Sequence, residues 1–153
     1  MNQFTQLLLF IKSLSDADDF VNTTTKHTPD EIDVLKANLF PIFNINVSSG
    51  SFPSTGVIEF NVELACLDIR DINKEINDDK FWRNDNEVDN LNETLATLNR
   101  VWVAMNRDWA GNNITASDSP TFTATIGEGA NIYDGWVMTF DVQLPNVTLN
   151  LCT

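Results

Sequence analysis

Positive charge is the scarcest resource in this chain. Nine Lys and Arg stand against 22 Asp and Glu, for a formal net charge of −13. Proteins that wrap nucleic acid neutralise its phosphates with Lys and Arg, so this balance argues against such binding. An acidic surface keeps a subunit soluble and repels DNA that has to slide past it without sticking. Histidine is nearly absent as well. His27, the only one, sits in a threonine-rich stretch with no second His or nearby Cys, too few parts for a zinc centre or a histidine-activated nucleophile. No Gly-Lys-Ser/Thr element occurs, and Gly127-Glu128-Gly129 lacks the third glycine and the strand-to-helix setting of a dinucleotide loop. The apolar run Leu7 to Ile11 is too short for a membrane span. The start Met-Asn-Gln-Phe-Thr-Gln carries no positive side chain, so neither a signal peptide nor a membrane span is expected. Asp16, Asp18 and Asp19 lack the central Gly and distal Glu of a calcium loop and read as a solvated turn.

Cysteine is sparse too. Cys66 and Cys152 are compatible with one disulfide or with two small buried thiols, and a core of this size, needing no staple, favours free thiols. The chain has 153 residues, the length of one domain, and buries roughly 70% of its unfolded surface at that size. We read 1–153 as a single domain. Five Asn-X-Ser/Thr triplets begin at Asn22, Asn46, Asn92, Asn113 and Asn146, but nineteen asparagines produce such triplets by chance, and one lies inside a helix pattern.

That helix pattern is the clearest positive signal. Between Asn86 and Trp109, Val88, Leu91, Leu95, Leu98, Trp102, Met105 and Trp109 recur at alternating spacings of three and four, one stripe of a long helix with polar residues elsewhere. A β-sheet is the expected partner, and Leu95→Ala is then expected to cost about 2 to 5 kcal/mol. A heptad stripe also permits a coiled coil, yet Asn and Thr stand where charged flanking pairs belong, which favours packing inside the domain.

Elsewhere the periods alternate. Phe4, Leu7, Leu8, Ile11 and Leu14 predict a first helix over 2–14. Phe20 to His27 is a β-branched strand, and Thr28-Pro29-Asp30-Glu31 is a capping box opening a short helix that reaches about Leu35. Leu39 to Val47 reads as a strand with Pro41 near its start, and Ser48 to Gly56 as a connecting loop. Val57 to Ile69 is a long half-buried strand antiparallel to its predecessor, with Glu59 and Glu63 on its wet face. Ala110-Gly111-Asn112-Asn113 stops the long helix. Thr121–Ile126 is a strand, Gly127 to Asn131 a loop, and Trp136 to Leu144 a last strand ended by Pro145. The order predicts an α+β fold, an antiparallel β-sheet with a long helix (86–109) and an N-terminal helix packed on it.

Few residues suggest chemistry. Glu59 and Glu63, with Asp68 and Asp71 at the end of their strand, are where a glycosidase keeps its acid and base, but carboxylates alternating with apolar residues usually form the wet face of a sheet. Trp82, Trp109, Trp136 and Tyr133 are candidates for a sugar-stacking platform, although Trp109 and Trp136 belong to apolar stripes. We expect no enzyme, cofactor or metal. Phe81 and Trp82, flanked by Lys80 and Arg83 in a long polar connection, read either as a local anchor under the helix or as a subunit contact in which the two cations offset acidic repulsion.

The element order resembles that of tail-terminator, tail-completion and neck ring proteins of tailed bacteriophages. So do Asp33-Val34-Leu35-Lys36 leading into Leu39-Phe40-Pro41-Ile42-Phe43-Asn44-Ile45, and Gly135-Trp136-Val137-Met138-Thr139-Phe140 followed by Pro145-Asn146 and Cys152. These stretches look like the pattern in phages infecting Bacteroidetes-type hosts. The resemblance carries no active-site residue. It implies a structural virion protein assembled in the host cytoplasm, a homo-oligomeric ring contacting other neck or tail proteins, with no membrane partner. DNA passes through such a ring without specific binding. It further implies reduced Cys66 and Cys152, a subunit interface at Lys80, Phe81, Trp82 and Arg83, and an acidic lumen including Glu59 and Glu63. The alternative is a secreted carbohydrate-binding or adhesin-type β-rich module.

Overall fold

Thirteen residues of alternating polarity, Val57–Ile69, form the strand on which the sheet is built. The computed structural model describes residues 3–28, 31–32, 35–71, 79, 81–82, 86–109, 111, 113–116, 119–129 and 131–146. In chain order its elements are α1 (Gln3–Asp16), β1 (Thr23–Thr25), β2 (Ile42–Ser54), β3 (Val57–Ile69), α2 (Glu87–Asp108), β4 (Thr115–Ala116), β5 (Thr121–Glu128) and β6 (Tyr133–Pro145). The strands lie in the order β1-β2-β3-β6-β4, and β5 also pairs with β6. All pairings are antiparallel except β1 on β2. The fold is α+β, with the long helix on the sheet.

Even-numbered residues of β3 face the helices. Val62, Leu64 and Cys66 join Leu7 and Ile11 of α1, Phe43 and Ile45 of β2, Leu98, Val101 and Met105 of α2, and Phe140 and Val142 of β6 in one buried cluster. Among the described residues the odd-numbered face is covered at one end. There Ala65 and Leu67 meet Ile32, Phe40, Ile42 and Tyr133 in a second cluster, with Phe40 stacked on Tyr133 at 6.0 Å between centroids. The segment that covers it begins with half of the expected capping box. The Thr28 N–H donates to Glu31 Oε2 at 2.7 Å, which holds the Glu31 carboxyl below its ordinary range. Phe40–Pro41 is a cis peptide.

Two expectations for the strands change. Ser48 to Gly56 is not a simple loop, because Ser48 to Ser54 continues β2 and pairs with β3 as far as Ser54 opposite Val57. Its Ser, Gly and Pro content marked a turn, but pairing with a strong neighbouring strand supplies the order that propensity does not. Register shifts at Val47/Ser49 and Ser51/Ser54 accommodate the irregular sequence. The expected strand Phe20 to His27 shrinks to Thr23–Thr25. Beyond it the buried Asn44 side chain replaces the ladder, accepting the His27 N–H at 2.8 Å and donating to the His27 carbonyl at 3.0 Å.

The long helix is present over the predicted span but turned. Its buried residues are Glu87, Asn90, Thr94, Thr97, Leu98, Val101 and Met105, while Val88, Leu91, Leu95 and Trp102 are half-buried on the flank. Thr94 and Thr97 are fully buried and donate their hydroxyls to the carbonyls of Asn90 and Glu93 at 2.6 and 2.9 Å. Satisfied within their own helix, these small side chains face the sheet at no hydrogen-bonding cost. The larger residues are displaced sideways toward β5. Trp136 Nε1 donates to the Leu91 carbonyl at 2.9 Å and ties that flank to the sheet.

Candidate functional site

Glu59 and Glu63 lie on the face of β3 turned away from both helices, as expected, and both are half-buried. Gln143 Nε2 donates to Glu59 Oε2 at 2.6 Å, and the adjacent Asn61 donates to Asp141 at 2.9 Å. Asp68 lies at the other end of the strand. Its odd separation from Glu59 places it on the opposite face, and nine residues of strand span roughly 30 Å. That separation is several times the spacing of a glycosidase's paired carboxylates, so Glu59 and Asp68 do not form such a pair. Burial pushes the Asp68 carboxyl above its ordinary value, with Asp134 adding to the shift and the Ile69 N–H opposing it.

Asp68 borders a charged hub that the sequence did not reveal. Arg70, just past β3, donates from Nε and Nη2 to the two carboxylate oxygens of Asp134 at 3.0 and 2.6 Å, and from Nη2 to Glu87 at 3.0 Å. Asp134 is fully buried and also accepts the Gly127 N–H at 2.7 Å. Gly127 has φ 62°, and a Cβ there would meet the Arg70 guanidinium at 3.4 Å, so a glycine fits the site twice over. Asn90 donates to the Ile69 carbonyl, and Asn86 accepts the Asp71 N–H. The hub therefore fastens the start of α2 and the β5–β6 turn to the end of β3. Arg70, Asp134 and Glu87 are held by one another, which is the arrangement of a clamp.

Phe81 is 80% and Trp82 50% exposed, their rings in edge contact at 5.1 Å, and neither joins an apolar cluster. That exposure departs from the reading in which Trp82 tucks beneath the helix. Lys80 and Arg83 lie outside the described residues. The sugar-platform candidates are dispersed: Trp109 and Trp136 pack with the helix-side cluster, Tyr133 with the opposite one, and Trp82 with Phe81. Cys66 is a free, buried thiol whose pKa burial raises, and Cys152 lies outside the described residues. His27 approaches Glu31 at 3.4 Å on the surface. Among the described residues no three His, Cys, Asp or Glu side chains converge as metal ligands, and no helix is long and apolar enough to cross a membrane.

The open surfaces sit at the two sides of the sheet. β1 covers β2 only from Ile42 to Asn44, and among the described residues no strand pairs the outer edge of β2 beyond that point. From Ser48 to Gly56 every residue is exposed, with Phe52 at 71%. On the other side, among the described residues, β5 pairs with β6 alone, and it is exposed along most of its length. Beside it, the displaced flank of α2 leaves an apolar groove of about 560 Å³ lined by Leu95, Leu98, Trp102, Pro120, Phe122 and Met138. Phe122 is 54% exposed and contacts Trp136 edge-on at 5.5 Å. The groove had no local signal in the sequence, because α2, β5 and β6 each supply part of it.

No protein-family model matches the chain, and no curated protein is similar to it at a significant level. The structure is an α+β fold with a long helix on a six-stranded sheet, a clamped interior and, among the described residues, two sheet edges without a pairing strand.

Proposed function

We propose that this chain is a non-enzymatic structural subunit of a phage virion, closing into a ring at the neck or the end of the tail tube. The observation that supports this reading is the pair of open edges on opposite sides of one sheet. Unpaired edges invite uncontrolled strand addition, and a ring removes the hazard by pairing one copy with the next. The edges point in different directions, so the contact is head-to-tail, the kind that generates rings. Phe81 and Trp82 offer an additional apolar contact for a neighbouring copy or another neck or tail protein. The acidic face carrying Glu59 and Glu63, with Asp141 beside them, is placed in the lumen, where it repels passing DNA.

The solution mass of the purified protein, with negative-stain images of the same sample, tests the proposal. Closed particles of one stoichiometry are expected, with no retardation of duplex DNA at physiological salt. A monomer at all concentrations whose melting temperature rises on adding a glycan would instead identify a carbohydrate-binding module.

A further inference from the structure

The exposed outer half of β2 and its turn, Ser48 to Gly56, contain no charged side chain in a chain of net charge −13. The arm is nevertheless firmly built. A Cβ at Gly50 would stand 2.8 Å from the Glu59 carbonyl and 3.1 Å from the Phe60 ring, so the backbone lies close on β3. Its prominent feature is Phe52, followed by Pro53. Among the described residues that line it, the groove beside β5 is likewise uncharged, its polar groups being the amides of Asn92 and Asn99.

We infer that the arm of one copy docks into the β5 groove of the next, with Phe52 seated against Leu95, Trp102 and Phe122. Two copies of so acidic a chain repel each other at most orientations, and contact is favoured where both surfaces are neutral and apolar. The groove's volume lies in the range that encloses ligand-sized apolar groups, enough for an aromatic ring and its neighbouring proline. The arm does not fill its own groove, since β2 and β5 are separated by β3 and β6, three strand spacings or roughly 14 Å. Arm and groove lie on opposite sides of the sheet, so each copy offers one of each and the contact propagates from copy to copy. This inference rests on the ring reading and names the residues that join the subunits.

A benzophenone side chain installed in place of Phe52, irradiated at concentrations up to the solubility limit, tests it directly. Cross-links are expected between copies, to peptides carrying Leu95 to Trp102 or Pro120 to Phe122. Phe52→Glu is expected to raise the concentration at half-assembly by more than about tenfold while leaving the melting temperature unchanged. Mixed with Ala96→Glu, which blocks only the groove, it is expected to form pairs and nothing larger. Absence of inter-copy cross-links, or cross-links to another surface, would overturn the inference. Rings that persist in Phe52→Glu would remove the arm contact and leave the ring reading standing, whereas wild-type protein giving neither cross-links nor rings would remove both.

Discussion

At the Ile69 end of β3 the sheet is covered on both faces and Arg70 is paired with Asp134 and Glu87, whereas at the Val57 end one face is wet and the neighbouring β2 is exposed from Ser48 to Ser54. The covered end carries Arg70, Asp134 and Glu87, charges held in place by one another. The open end carries an arm without charge. Charge is thus tolerated where it is buried and matched, and it is missing where, on our account, another acidic copy has to approach. The lesson is that the most closely paired charges here hold the fold together, while the surface suited to a partner is chemically plain.

Breaking the covered end should have the largest effect. Arg70→Met removes the guanidinium that Asp134 and Glu87 share in the interior, so we expect a loss of about 3 to 5 kcal/mol in urea denaturation; a loss under 1 kcal/mol would show that water already shares those charges. Within α2 the buried Leu98 and the half-buried Leu95 separate the true face from the expected one. Leu98→Ala should cost about 2 to 5 kcal/mol and Leu95→Ala only about 1, and equal losses would return the helix to its expected orientation.

The central strands give a third test. A Cβ on Gly135 would lie 2.0 Å from the Cys66 carbonyl, so Gly135→Ala forces β3 and β6 apart, at about 1 to 3 kcal/mol by thermal denaturation. Free passage of this substitution would show the strand pair to be looser than described. Phe81→Ala should shift stability by no more than about 0.5 kcal/mol, since the ring is 80% exposed and belongs to neither cluster. A core-sized loss would restore the anchor reading.

Asp68→Asn should produce a small change of the opposite sign. The folded carboxyl titrates above its ordinary 3.8, so near neutral pH the folded chain carries a charge that burial and Asp134 disfavour. Removing it raises the melting temperature at neutral pH. The gain shrinks as pH falls through the raised folded value and vanishes below 3.8, where the carboxyl is protonated in both folded and unfolded chains. A variant less stable at neutral pH would show that the Ile69 N–H bond to the carboxylate outweighs both effects.

The sequence was most legible where periodicity is long and pairing regular. Val57–Ile69 occupies the predicted span, and Glu87–Asp108 lies within the predicted 86–109. Which face of α2 is buried was not legible from apolar residues alone, because Glu87, Asn90, Thr94 and Thr97 form a competing column at the same spacing. Their polar atoms are satisfied by Arg70, by the Ile69 carbonyl and by the helix's own carbonyls. The clamp was hidden for a related reason, since Arg70 and Asp134 are 64 residues apart and neither stands in a recognisable motif. Glu59 and Glu63 were correctly placed on a polar face by strand alternation. The arm and groove were missed because pairing partners made the one and three separate elements the other.

Hydrogen–deuterium exchange, compared between dilute and assembled protein, tests the central claim most directly. The account predicts that amides of Asn46–Ser54 in β2 and Thr121–Glu128 in β5 gain protection together on assembly, while the already paired interior of β3 and β6 changes little. Assembled protein in which both edges still exchange as freely as in the monomer, or in which protection appears only elsewhere, would contradict it.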